Sequence, residues 1–445
     1  MPPASTAPKL KLASGVGLVA ANMIGTGVFV SAGFMAQSMG PGPILLTWAV
    51  GALMALCGAA AYGAVARLVP RSGGEYRYLS ELLHPAAGYL AGWASLLVGF
   101  SAPVAAGALS AGAFAAEVVP GIEPRWFAAG AVVLLTLFHA FGFRTSFRTQ
   151  NALILVKALI LASFVGAGLL LGARAWPTWT PPQGGDAFPL EAFAFNQLFI
   201  AFAFSGWNAA VYASEEFEAP ERTVPRAMAV GALLVSALYL VVNWVFVANL
   251  DPQLAFSAVT SGNVTLGHAV MSRLVGPGAS AVWSGATVIV FLSSMSAMIF
   301  LGPRVYAAMA RDGFLPRALA GKGDHPPPAA VLLQGALALA IVLLQRLQTT
   351  LAQVGAVLVL FAALTALGLV VARARGRTPR PSTVAVGAAL VYVAASGWLF
   401  LRGLRWCETH PCSPGEIQER LVAIAVALAI GLAAWALSRR RAATA

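Results

Sequence analysis

Apolar residues in this chain run in long unbroken stretches, not in alternation. Twelve stretches approach the roughly 20 residues with which an α-helix crosses the hydrocarbon core of a bilayer. They are 14–37, 43–66, 87–116, 126–143, 150–171, 191–213, 227–249, 281–303, 328–345, 352–372, 383–401 and 420–438. Ten-residue alternating segments, the pattern of a membrane β-barrel, are not what these runs resemble. The expected fold is therefore an all-α polytopic membrane protein with twelve transmembrane helices. It forms one domain over 1–445, because no polar segment is long enough to fold alone. Residues 1–13 are polar. They lack a small-residue cleavage site after a short apolar core, so the first stretch is expected to remain as a span.

Two of the stretches carry a weak point deep inside. In the first, NMIGTGVFVSAG places Gly25, Thr26 and Gly27 mid-span; in the sixth, FIAFAFSGWNAAVYASEE places Phe204, Ser205, Gly206, Trp207 and Asn208 there. Hydrocarbon offers no partner to a freed backbone N–H or C=O, so an unwound turn is tolerated only beside protein or a polar cavity. Freed N–H groups at a half-helix N-terminus suit a carboxylate, and freed carbonyls suit an ammonium. Two such breaks side by side would cradle a zwitterion, an α-amino acid. The competing explanation is that small residues simply let helices pack closely. Interruptions at matching places in two halves point to an inverted-repeat transporter. The repeats would be 14–172 and 191–372, five spans each, followed by spans 11 and 12 in 383–438.

Composition and charge sharpen this picture. Hydrophobic residues make up 59% of the 445 and charged ones only 10%, against about 25% charged in soluble domains. If the N-terminus is inside, all but eight of the 28 Lys and Arg fall in cytoplasmic connections; seven fall outside and Lys157 lies within a span. That bias places both termini in the cytoplasm of a cell-membrane protein. It also accounts for the net charge of +12 without nucleic-acid binding, since the basic residues are scattered over short loops. Cys407 and Cys412 fall in the last outward loop, where a disulfide and two free thiols are equally compatible with the sequence. Their spacing around His410 does not suit zinc, and no cofactor is expected.

Lys157 is the one Lys, Arg, Asp or Glu placed well inside a span. Such a charge is costly and functional by default. Snorkelling toward the interface would take it about 13 Å along the helix to the level of Arg148, long for a lysine stem. With no carboxylate expected in the spans, its partners would be carbonyls and hydroxyls at the unwound region. The same lack of carboxylates favours neutral over cationic substrates. Ser293, Ser294 and Ser296 in span 8 either line a cavity or bond their own helix; Tyr239 in span 7 is core or cavity. His139 has no acid or nucleophile nearby in sequence, so an intramembrane enzyme is disfavoured, and the spans are too apolar for a channel. Glu215, Glu216, Glu218 and Glu221 mix with Arg222 and Arg226 as a solvated loop or a gate.

Together, MIGTGVF, PRSGGEYRYLSELLHPAAGYLAGW (70–93), FAFSGWNAAVYASEEFEAPERTVPRA (202–227) and RVYAAMARDGFLP (304–316) resemble the amino acid–polyamine–organocation superfamily. Their order and spread over the first 320 or so residues resemble its L-type amino acid transporter branch. The resemblance implies the five-plus-five inverted repeat and sodium-independent, alternating-access transport of neutral L-amino acids. Exchange and proton coupling both stay open, and a polyamine or cationic amino acid carrier is the alternative. The resemblance implies a substrate site at Ile24, Gly25, Thr26, Gly27, Phe204, Ser205, Gly206 and Asn208. The carboxylate would meet the N–H groups of Thr26 and Gly27, and the ammonium carbonyls near Ile24, Phe204 and Ser205. Phe204 matches a gating aromatic. Lys157 matches a lysine standing where sodium-coupled relatives hold sodium, with Tyr239 linked to it. Animal members bind a heavy chain through a cysteine between spans 3 and 4. EVVPGIEPRW has none, so no such partner is expected.

Overall fold

The computed structural model describes residues 9–36, 38–141, 147–173, 188–249, 265–321, 327–409 and 431, with side chains described except at 147–154 and 404–409. In chain order the helices are α1 (Leu12–Met23), α2 (Thr26–Met35), α3 (Pro41–Leu68), α4 (Glu75–Leu82), α5 (Pro85–Ala94), α6 (Ser101–Ala116), α7 (Pro124–Ala140), α8 (Phe147–Leu171), α9 (Leu190–Ala203), α10 (Ala209–Tyr212), α11 (Pro220–Ala248), α12 (Leu266–Val275), α13 (Pro277–Arg311), α14 (Pro328–Leu344), α15 (Leu347–Ala374) and α16 (Thr383–Thr409). Six begin at a proline. Its missing N–H is one of the groups a helix start leaves unbonded, and its fixed φ suits the first turn.

This is a multi-span helical membrane bundle. Among the described residues, seven helical runs are long and apolar enough to cross a bilayer: Leu12–Met35, Pro41–Leu68, Pro85–Ala116, Pro220–Ala248, Pro277–Arg311, Leu347–Ala374 and Thr383–Gly403. Four shorter apolar helices, Pro124–Ala140, Leu155–Leu171, Leu190–Ala203 and Pro328–Leu344, accompany them. The expected stretch 420–438, apart from Gly431, and the thiols of Cys407 and Cys412 lie outside the described residues. Large apolar side chains face outward: Leu134, Leu170, Val282, Leu344 and Val384 are all at least 70% exposed. In water this would be a liability; against lipid tails it costs nothing.

Where the structure departs from the periodic reading, it does so for physical reasons. Two short amphipathic helices occupy segments expected to be loops. α4 buries Glu75, Tyr76, Tyr78, Leu79 and Leu82; α12 buries Leu266, Gly267, Val270 and Met271. The third span also loosens into a π-helical turn over Ser95–Phe100. Pro103 lies four residues after Gly99 and lacks the N–H that would bond its carbonyl, and an extra residue per turn is a common accommodation. The hydroxyl of Ser101 reaches back to the Leu96 carbonyl at 2.8 Å, supplying one donor to the loosened turn.

The ends of the bundle differ. At one end, Leu10 pairs through its backbone with Glu216 and Glu218, and the Glu215 N–H donates to Ser72 Oγ at 3.1 Å. Arg77 lies 3.6 Å from Asp312, and Arg375 and Arg377 donate to the carbonyls of Leu82 and Glu81. Five chain segments thus meet at one arginine-rich face. At the other end, Thr265 donates to Glu117 at 2.5 Å and Arg402 lies 3.8 Å from Glu191.

Candidate functional site

The first weak point is a real interruption. α1 ends at Met23, Ile24 is extended, Gly25 is extended with φ −143°, and α2 starts at Thr26. The N–H groups of the first helical turn have no carbonyl within their own helix, so those of Thr26 and Gly27 must look elsewhere. Gly27 packs directly on α9: a Cβ there would lie 2.3 Å from the Ala203 Cα. Gly25 is different. The nearest atom to a Cβ at that position is Ser294 Oγ, at 3.8 Å.

The second interruption is longer. α9 ends at Ala203, Phe204–Asn208 form turns, and helix resumes with α10 at Ala209. Gly206 has φ +100°, the left-handed region that glycine enters without steric cost. A Cβ there would lie 2.8 Å from the Asn22 carbonyl carbon. The two interruptions therefore cross, Gly27 against Ala203 and Gly206 against Asn22. Tyr239 of α11 joins them: its hydroxyl is 2.6 Å from the Met23 carbonyl oxygen and 3.3 Å from that of Ala203.

Lys157 is 4% exposed, and its Nζ donates to Ser294 Oγ at 2.9 Å. Ser294 in turn donates to the Val290 carbonyl of its own helix at 3.0 Å. No carboxylate pairs with Lys157 among the described residues. The lysine thus approaches the first interruption from behind, through the serine that faces Gly25. Ser293 is buried in α13. His139 bonds Ser296 at 2.8 Å.

A cavity of about 140 Å³ opens on the other side of the crossing. That is roughly ten times the space one water needs. Of the predicted substrate residues, Phe204, Ser205, Gly206 and Asn208 line it. Ile24, Gly25, Thr26 and Gly27 do not, and neither do Lys157, Tyr239, Ser293 or Ser294. The physical reason is the packing of Gly27 on Ala203, which holds the first turn of α2 against α9; the first broken helix reaches the cavity through Asn22 instead. Met298, Leu301 and Phe361 give the cavity apolar walls.

The expectation that no carboxylate serves the site needs correction. Glu75, the first residue of α4, is 7% exposed and lines the cavity. Its Oε1 accepts from Tyr62 Oη at 3.0 Å and Asn208 Nδ2 at 2.6 Å; its Oε2 accepts from Tyr212 Oη at 2.5 Å. Tyr62 also stacks edge-on with Trp207, centroids 4.7 Å apart. Glu75 lies in a polar loop by sequence, which hid it. The signal was the glycine pair before it, Gly73 and Gly74, both at positive φ. Among the described residues no group of His, Cys, Asp and Glu is arranged to hold a metal ion.

Residues 10–407 match the model of the family described as amino acid permease. The chain is 29% identical over 431 residues to the large neutral amino acids transporter small subunit 2 of Mus musculus, covering 92% of this chain and 78% of that protein. It is 28% identical over 418 residues to the Asc-type amino acid transporter 1 of the same species, covering 88% and 75%. Against the b(0,+)-type amino acid transporter 1 of Mus musculus it is 26% identical over 411 residues, covering 88% and 81%.

Proposed function

The chain belongs to the amino acid permease family, and from that premise we propose that it carries neutral L-amino acids across its membrane by alternating access, without sodium. It is a transporter and not an enzyme. The observation that carries the reading is the crossing of two interrupted helices beside a small cavity, tied by Tyr239. Paired interruptions of this kind mark the substrate site of inverted-repeat carriers. In our reading residues 14–172 and 191–372 are the two repeats of a twelve-span protein. Similarity to proteins named as transporters of large neutral amino acids supports the substrate class.

The arginine-rich face supports a cytoplasmic placement of that end, and with it of both termini, because basic residues are retained on the inner side. Lys157 would stand in for a bound cation beside the first interruption, held by Ser294. Exchange of internal for external amino acid, or coupling to protons, would drive the cycle. No disulfide-linked heavy chain is proposed, as residues 117–126 contain no cysteine.

Glu75 favours a second reading, a carrier of cationic amino acids or polyamines, since an anion in the wall would attract a cation. Its oxygens are engaged by three donors, which leaves the neutral reading in front. Purified protein in liposomes decides between them. Uptake of labelled leucine, unchanged when sodium is replaced and stimulated by internal amino acid, is the expected result. Preference for labelled arginine or a polyamine would overturn the neutral reading. Uptake that requires sodium would overturn the role given to Lys157.

A further inference from the structure

We propose that Glu75 is the latch of the arginine-rich face: its carboxylate grips Asn208 and Tyr212, holds the unwound segment in its binding geometry, and must let go each time the site opens to that face. The inference rests on the transport reading above and adds to it a positioning residue.

The grip is built from both sides. Gly74, at φ +59°, brings the loop so close to α10 that a Cβ would lie 2.3 Å from the Tyr212 ring. One turn of chain away, Ser72 Oγ accepts the Glu215 N–H. The loop at 72–75 therefore holds residues 208–215 at three points: Asn208, Tyr212 and Glu215. A carboxylate is suited to this, since an ionised acceptor makes shorter and stronger bonds than a neutral one. Glu75 also opens α4, where the helix N-terminus favours negative charge. No cation lies within ion-pair distance of it among the described residues, so its charge is held by neutral hydroxyl and amide donors alone.

The residues next along α4 pull the other way. Tyr76 donates to Asp312 Oδ2 at 2.6 Å, and Arg77 lies 3.6 Å from the same oxygen. Asp312 caps α13. Three consecutive residues thus strap the broken span to the end of α13 across the cytoplasmic mouth. Opening that mouth requires the two elements to separate, and the shortest bond in the strap is that of Tyr212 to Glu75, at 2.5 Å. Breaking it is easier for an amide. Glu75→Gln has the same shape, but one acceptor oxygen becomes a donor facing another donor.

A latch differs from an ordinary structural contact in what its loss does to the two faces. An apparent affinity scales with the population of the state that can bind. Weakening the latch favours the state open at the arginine-rich face, so KM measured from that side falls while KM from the opposite side rises. A residue that merely shapes the pocket moves both in the same direction. The test is sided transport of labelled leucine in liposomes of known protein orientation, for the wild type, Glu75→Gln and Tyr212→Phe. The expected result is a shift of the KM ratio between faces by about fivefold or more in Glu75→Gln. Tyr212→Phe, which removes one donor and keeps the charge, should shift it less and in the same sense. KM values that move together, or not at all, overturn the latch. Should Glu75→Gln fail to fold, Tyr212→Phe carries the same test. A wild type that moves no amino acid fails the transport reading; a wild type that does, beside variants with unchanged KM ratio, fails the latch alone.

Discussion

The two interruptions do the same thing to the backbone and end in different surroundings. The first is two residues long, is closed off from the cavity by the contact of Gly27 with Ala203, and is served from behind by Tyr239 and Ser294. The second spans five residues, lines the cavity, and is held from the arginine-rich face by Glu75. Breaking a helix frees polar groups in either case. What the freed groups can then do depends on what is packed against them. In this geometry the first break is packed into the protein at Gly27, and the second forms part of the cavity wall.

The largest effect that would break this comparison is at Gly27. Gly27→Ala puts a methyl into the Ala203 backbone, and overpacking at a backbone contact costs about 1–3 kcal/mol or more. We expect loss of most folded protein, read by gel filtration after extraction; normal yield and normal uptake would show that the crossing is not needed. Next is Lys157→Ala. It should reach the membrane and keep its thermal midpoint within a few degrees, while leucine uptake falls by an order of magnitude or more. Uptake like the wild type would remove Lys157 from the mechanism.

Tyr239→Phe should be milder. It removes the bond to the Met23 carbonyl and leaves that buried acceptor unpaired, a loss of about 1–3 kcal/mol. A lower thermal midpoint together with slower exchange is expected; a lower midpoint with unchanged exchange would confine the tyrosine to a packing role. The smallest effect is at Gly25. An added Cβ there meets nothing closer than 3.8 Å, and its φ of −143° suits any residue. Gly25→Ala should fold normally and lower uptake no more than about twofold. Equal damage at Gly25 and Gly27 would erase the distinction between an open and a packed position within one break.

Much of the bundle was legible because lipid demands long apolar runs, and such runs are hard to mistake. The breaks were legible for a related reason, since GTG and FSGWN are poor helix formers where helix is required. Less legible was which side of each break faces the cavity. That depends on Gly27 meeting Ala203, a contact between residues 176 positions apart, which no local pattern encodes. Glu75 escaped because PRSGGEYRY looks like a solvated loop, although Glu75, Tyr78, Leu79 and Leu82 fall at helical spacing and bury together. The π-helical turn was hidden because its cause, Pro103, lies downstream of it in a stretch otherwise uniform in alanine.

The phenol of Tyr239 has a single proton and two carbonyl oxygens within reach, Met23 at 2.6 Å and Ala203 at 3.3 Å. It can bond only one of them well. One phenol proton therefore serves both interrupted helices at once, and the carbonyl of the first, nearer by 0.7 Å, takes the better bond.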